Sequence, residues 1–311
     1  MNDLSMDNKF GTYVIEAGDV LEKINRFKNG KFKLIITSPP YNIGKEYEKK
    51  NSLERYLNWH EKVIGILIDK LADDGSIVWQ TGNYVENGEL VPLDIYFYPI
   101  FKKYGVKMRN RIIWHFEHGL HCSKRFSGRY ETAMWFTKTD KYIFNLDKVR
   151  VPSKYPGKLY FKGPKKGQPS CNPLGKNPSD FWKLKLIENE FCSGIVDIPN
   201  VKNNHPEKTS HPCQFPVELI ERFILACTNE KDFVLDPFGG VGTTLIAAIK
   251  NKRHGIMCEI NEEYIAIALE RIKNCMNGNL KTRPLGKKIY EPSGNEKVSK
   301  IPEQWKQEGL L

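Results

Sequence analysis

The stretch "VLDPFGGVGTTLIAA", residues 234–248, constrains the fold more than any other part of the chain. An apolar run ends at Asp236, a turn rich in glycine follows (Gly239, Gly240, Gly242), and a helical pattern opens at Thr243 and Thr244. Glycines let a ligand approach the backbone closely, and the start of a helix presents unpaired N–H groups. The next apolar run, "GIMCEI", carries Glu259 near its end, about 20 residues further on, where an acid suits the two hydroxyls of a ribose. Strand, turn, helix, strand and acid in this order predict an α/β sheet and a cofactor that contains a nucleoside. No G-K-[ST] follows the glycines, which disfavours ATP or GTP.

The same alternation runs through the rest of the chain. "TYVIEAGDVLEKI" and "KFKLIIT" read as strand, turn, short helix and strand over residues 12–37. Apolar residues at helical spacing predict a helix over 53–71, which "ADDGS" breaks before the strand "IVWQT". Further elements are predicted at 91–104 (helix), 110–116 and 131–138 (strands), 216–227 (helix) and 261–274 (helix). "LIITSPPYN" is a second constraint. Its apolar strand stops at Ser38-Pro39-Pro40-Tyr41, and neither proline can donate to a sheet ladder. Stiff backbone with free carbonyls beside an aromatic ring is either an ordinary turn or the floor of a pocket.

Charge points to a partner. The net charge is +11, and such an excess suits a polyanion. Lys141, Lys148, Arg150, Lys154, Lys158, Lys162, Lys165, Lys166, Lys176, Lys183 and Lys185 face only Asp147 and Asp180, with Tyr155, Tyr160, Phe161, Phe181 and Trp182 interleaved. This segment is either a solvated insertion or a surface that meets nucleic acid. No apolar run approaches the ~20 residues of a membrane span, and the polar start lacks the apolar core of a signal peptide. A cytoplasmic protein is therefore expected. Seven scattered cysteines without C-x-x-C argue against disulfides and structural zinc. His115, His118 and His121 have a ligand-like spacing but no acidic or cysteine partner, so no metal is expected.

With these motifs in view, the chain resembles the β class of S-adenosylmethionine-dependent DNA amino-methyltransferases, the N4-cytosine and N6-adenine enzymes of restriction-modification systems. "TSPPYN" resembles their catalytic motif and "LDPFGGVGTT" their cofactor motif. "EAGD" (16–19), "HPCQFP" (211–216) and "RYETAMWFTK" (129–138) resemble three further motifs of the family. The resemblance implies a Rossmann-like fold whose seven-stranded, mostly parallel sheet has one antiparallel strand, with the catalytic half before the cofactor half. It implies a catalytic half over 12–140, a target-recognition insertion over 141–205, a cofactor half over 206–274 and a tail over 275–311.

It also implies roles for residues. Ser38 and the Pro39 carbonyl would accept from the target amine, Pro40 would stiffen the loop, and Tyr41 would stack on a flipped base. Asp19, Thr209, His211, Pro212, Gln214, Phe215, Asp236, Pro237, Phe238, Gly239, Gly240, Gly242, Thr243, Thr244 and Glu259 would surround S-adenosylmethionine. Lys124, Arg125, Arg129, Lys154, Lys158, Lys165 and Lys166 would meet double-stranded DNA. Cys213 mimics the Pro-Cys of C5 methyltransferases, but it precedes the cofactor motif and is assigned no nucleophilic role. Serine at the first catalytic position favours cytosine N4 over adenine N6; RNA is the alternative substrate. The partners implied are DNA and a restriction endonuclease, with the chain a monomer or homodimer.

Overall fold

The computed structural model describes residues 11–45, 48–116, 121–153, 155–182, 198–202, 205–285 and 287. Lys154 and His118 lie outside these residues, as does most of the tail. In chain order the strands are β1 (Tyr13–Ala17), β2 (Phe32–Thr37), β3 (Leu71–Thr81), β4 (Asn83–Glu86), β5 (Glu89–Pro92), β6 (Lys107–His115), β7 (Tyr130–Thr137), β8 (Phe181–Trp182), β9 (Phe233–Asp236) and β10 (His254–Glu259). The helices are α1 (Val20–Ile24), α2 (Leu53–Lys70), α3 (Leu93–Lys103), α4 (Val217–Cys227), α5 (Thr243–Lys250) and α6 (Glu262–Met276).

Eight strands form one sheet in the order β1-β10-β9-β2-β3-β7-β6-β8. Its strands all run parallel except β7, the predicted "ETAMWFT" strand, which is antiparallel to β3 and β6. The count is eight rather than the expected seven. The additional strand, β8, is two residues long and pairs with β6 at the sheet edge. Two residues are too short to show a period, and Trp182 is fixed by its packing on Phe223, ring centroids 5.1 Å apart. The β4–β5 hairpin was also not anticipated. "ADDGS" belongs to β3, where the pairing with β2 shifts register between Phe32 and Leu34.

Alternation along the buried strands splits the core in two. Leu34, Ile36, Val78 and Trp135 point to a layer with residues of α4, α5 and α6, whereas Ile35, Ile77, Trp79 and Phe136 point to one with α1, α2 and α3. Side chains on both faces are fully buried, each contributing about 1.5–3 kcal/mol by removal from water. Local signals agree with the packing: Ser52 caps α2, and Asn261 accepts from the Glu263 and Tyr264 N–H groups at the start of α6. The helices after β9 and β2 lie on opposite faces, so the boundary between these two adjacent parallel strands is the switch point of the sheet, where such folds bind ligands.

The basic segment is folded in part. Residues 158–170 turn back on themselves, with a Leu159–Pro169 bridge and Tyr160 bonded to Gln168 and Gly167. A Val151–Lys176 bridge closes the base of this excursion. Among the described residues no helix is long and apolar enough to cross a membrane.

Candidate functional site

Leu34 and Ile35 of β2 pair with Val234 and Leu235 of β9, so the two strands end side by side. Thr37 at the end of β2 donates to Asp236 Oδ1 at the end of β9 over 2.7 Å, although they are 199 residues apart in sequence. Asp236 also accepts from Thr244 Oγ1 at 2.6 Å and from the Phe238 N–H at 3.1 Å. Burial pushes its pKa up to about 6, with the Thr244 and Thr37 bonds pulling the other way. Asp236 is thus a buried knot that joins two loops and opens α5.

Beyond the knot, the two loops and their neighbours enclose a cavity of about 240 Å³. Ser38, Pro39, Pro40 and Tyr41 form one wall, and Pro237, Phe238, Gly239, Gly240 and Thr243 another. Asp19, His211, Gln214, Phe215 and Glu259 complete the set of anticipated residues that reach it. Thr209, Pro212, Asp236, Gly242 and Thr244 do not. Thr209 Oγ1 donates to Gln214 Oε1 at 2.8 Å, and Thr244 holds Asp236. Gly242 adopts φ 77° just before α5, where an added Cβ would meet Ala268 Cβ at 3.0 Å. Thr209, Asp236, Gly242 and Thr244 support the wall from behind, and Pro212 is exposed. Trp59, Tyr264 and Cys213 also line the cavity; Trp59 and Tyr264 sit on α2 and α6, outside every motif of the sequence.

Glycine is required where the turn meets its neighbours. A Cβ on Gly239 would lie 2.6 Å from Met257, and one on Gly240 would lie 3.3 Å from His211 Nε2. Glu259 accepts from Gly240 N at 2.7 Å and from Ile260 N and Asn261 N at 2.9 and 2.8 Å, which fixes both carboxylate oxygens at the cavity edge. His211 is held near pKa 4 by burial and by the charges of Lys208 and Arg271, so its ring is neutral at pH 7. Its Nδ1 accepts from Cys213 N at 3.2 Å, which assigns the proton to Nε2. Asp19 caps α1 through the Leu21 N–H at 2.8 Å.

The proline loop is held by side chains rather than by a ladder. Tyr56 of α2 donates its hydroxyl to the Pro40 carbonyl at 2.6 Å. Asn42 takes a left-handed φ of 61°, and its side chain bonds Asn51 in both directions. Glu48 accepts the N–H groups of Asn42 and Ile43. The Tyr41 ring approaches Gly82 so closely that a Cβ there would lie 3.0 Å from it. Ser38 Oγ and Tyr41 Oη are 2.8 Å apart. Glu131 of β7, which drew no notice in the sequence beyond its place in a motif, lies 3.5 Å from Tyr41 Oη and accepts from Gln80.

A family model described as DNA methylase matches residues 32–270, most of the chain and both walls of the cavity. The chain belongs to the DNA methylase family. The methylase is 44% identical over 257 residues to the Type II methyltransferase M.BglII of Bacillus subtilis, covering 82% of this chain and 68% of that one. It is 37% identical over 261 residues to the Type II methyltransferase M.ScaI of Streptomyces caespitosus, covering 82% of this chain and 80% of that one. Its fold matches the solved structure of PvuII DNA methyltransferase, described as cytosine-N4-specific, with TM-score 0.62, 22% identity, and coverage of 86% of this chain and 92% of that chain.

Among the described residues the methylase has no cluster of three or more His, Cys, Asp or Glu that could hold a metal ion. Lys124 and Arg125 are exposed, and Arg129 is half-buried beside His121, whose Nδ1 is 3.5 Å from its guanidinium. Lys158, Lys165 and Lys166 are exposed on the folded-back excursion, with Phe161 90% exposed at its tip. The two cation groups lie on different loops.

Proposed function

We propose that this methylase transfers a methyl group from S-adenosylmethionine to cytosine N4 in duplex DNA, as the modification enzyme paired with a restriction endonuclease. The observation that carries the reading is the Thr37–Asp236 bond, which brings the Ser38-Pro39-Pro40-Tyr41 loop and the glycine turn to one cavity. Glu259, Asp19 and the Gly239–Gly240 backbone suit a nucleoside: an anchored carboxylate for ribose hydroxyls, and a turn whose glycines leave room. Neutral His211 and the aromatic wall of Phe238 and Trp59 add no positive charge near a cationic donor. When bound, S-adenosylmethionine supplies an activated methyl group on sulfur.

The chain's own residues do the rest. A target amine inside the duplex must be flipped out to reach the cavity. Ser38 Oγ and the Pro39 carbonyl accept its N–H bonds, favouring the pyramidal nitrogen that attacks and spreading its developing charge. Tyr41 stacks on the ring, and the tied loop fixes the distance over which the methyl moves. Lys124, Arg125, Arg129, Lys158, Lys165 and Lys166, with Lys154, contact phosphates of the duplex. In this reading 12–140 is the catalytic half, 206–274 the cofactor half, and 141–205 reads the target; the protein acts in the cytoplasm, as a monomer or homodimer.

Sequencing DNA from a host that expresses the gene, with detection of modified bases, tests the reading. The expected product is N4-methylcytosine at one short recurring site. N6-methyladenine would reassign the base, because a serine hydroxyl accepts from either amine. Unmodified DNA, together with no transfer of labelled methyl by the purified protein, would overturn it.

A further inference from the structure

Ser38 leaves a chemical gap that the reading above does not fill. A hydroxyl that accepts from an amine must send its own proton elsewhere, and a serine, unlike an aspartate, brings no negative charge. A carboxylate is nonetheless present at one remove. Ser38 Oγ is 2.8 Å from Tyr41 Oη, Tyr41 Oη is 3.5 Å from Glu131 Oε2, and that same oxygen accepts from the Gln80 side chain. Glu131 does not line the cavity, so it reaches the amine only through Tyr41 and Ser38.

We propose that Glu131 is a positioning residue and the terminal proton acceptor of the site, acting through Tyr41 on Ser38. The inference rests on the reading that Ser38 accepts from the target amine. Ionised Glu131 can only accept, so the Tyr41 hydroxyl donates to it. Tyr41 Oη then accepts from the Ser38 hydroxyl, and the lone pairs of Ser38 are left for the amine. Each link polarises the next, and the longest link, 3.5 Å, is of the kind that shortens when a substrate completes a site.

The same chain disposes of a proton. Once the new N–C bond has formed and the bond of the methyl group to sulfur has broken, the target nitrogen carries the positive charge and both original N–H bonds. One N–H bond breaks and its proton passes to Ser38 Oγ. The Ser38 proton moves to Tyr41 Oη, and the Tyr41 proton moves to Glu131. The products are a neutral methylamino group and a neutral carboxylic acid, and both hydroxyls are restored.

The surroundings suit an acceptor that works near neutrality. Tyr41 and Gln80 meet the carboxyl, Lys202 is the cation that acts on it, and β6 sets uncharged Trp114 opposite in the ladder. Burial raises the Glu131 pKa to about 7, with the Gln80 and Tyr41 bonds and the Lys202 charge opposing it. Below that pH the carboxyl is protonated, its oxygen becomes a donor, and the direction of the chain is lost.

Two measurements on wild type, Glu131→Gln and Tyr41→Phe test this. The first follows single-turnover methylation of unmodified genomic DNA against pH. Wild type should lose rate below about pH 7. Glu131→Gln should be slower by about 10²-fold without that acid limb, with S-adenosylmethionine affinity unchanged. Tyr41→Phe should lose the limb as well, and the double variant should be no slower than the slower single one. The second measurement needs neither cofactor nor DNA. The infrared band of a protonated carboxyl, missing in Glu131→Gln, should titrate near neutrality in wild type and at higher pH in Tyr41→Phe, where the stabilising hydroxyl is gone. If Glu131→Gln fails to fold, Tyr41→Phe alone decides both readouts. An acid limb that persists in either variant, or a band that titrates in the ordinary carboxylate range, overturns the inference. Wild type that leaves DNA unlabelled overturns the reading of the preceding subsection, and the inference with it.

Discussion

The loops after β2 and β9 stand side by side, yet they are built in opposite ways. The β9 turn works through backbone. Its glycines keep side chains away from Met257 and His211, and its Gly240 N–H grips Glu259. The β2 loop works through side chains and carbonyls. Its two prolines offer no N–H, and its shape depends on Tyr56, Asn51, Glu48 and the close approach of Tyr41 to Gly82. In the proposed function the difference follows from what each loop would face. A sugar with hydroxyls is suited by an anchored acid and open backbone, whereas an amine is suited by acceptors that cannot turn away. Asp236 joins the two, so the spacing of the loops depends on one buried carboxyl as well as on the bonds within each loop.

Substitutions can break this contrast, and their expected effects descend in size. Tyr41→Ala should lower single-turnover methylation by about 10³-fold, from lost stacking and lost positioning, while S-adenosylmethionine binding by calorimetry changes little. A parallel loss of cofactor affinity would show that the two loops do not act separately. Glu259→Ala should have the converse effect: two hydrogen bonds to a charged group, about 1.5 kcal/mol each, weaken cofactor binding by about 10²-fold, and saturating cofactor restores much of the rate. Tyr56→Phe removes one bond to the Pro40 carbonyl. It should cost about 1 kcal/mol of stability in urea unfolding and slow the chemical step about fivefold, with cofactor affinity intact.

The smallest effect concerns Asp236 and sharpens the comparison through pH. Its pKa is raised from 3.8 to about 6 by burial, so between these values the folded chain holds a proton that the unfolded chain has released. Stability therefore falls as pH rises through that window. Asp236→Asn should remove this component of the slope in urea midpoints measured from about pH 4 to 6. A slope identical to wild type would show that Asp236 is solvated and does not tie the loops as described.

The sequence carried much of the fold because its elements are long and strongly patterned. The α2, α4, α5 and α6 helices lie within a few residues of the predicted ranges, since their apolar residues recur at helical spacing; α2 and α6 bury one face, whereas α4 and α5 are buried nearly all round. Two kinds of element escaped. The β8 strand and the β4–β5 hairpin are too short for periodicity to register, and the "ADDGS" stretch enters β3 only because β2 accepts a shifted pairing. In the site, the glycine turn and Ser38-Pro39-Pro40-Tyr41 were readable because their backbone demands limit the residues allowed, and Glu259 because of its spacing from the glycine turn. Tyr56, Gln80 and Glu131 were not, because a tyrosine on a helix or a glutamate on a strand meets no local demand of its own.

By itself, then, the sequence determined which local geometries were possible: a turn that only glycine tolerates, a strand that must stop at two prolines, and an acid at the end of the following strand. Those are short-range consequences of sterics and hydrogen bonding, and they hold wherever the segments lie in space. Tertiary structure alone decided that β2 and β9 are neighbours, that Thr37 meets Asp236 across 199 residues, and that Glu131 stands behind Tyr41. Such contacts depend on which strands pair in the sheet, and no local preference along the chain encodes that pairing.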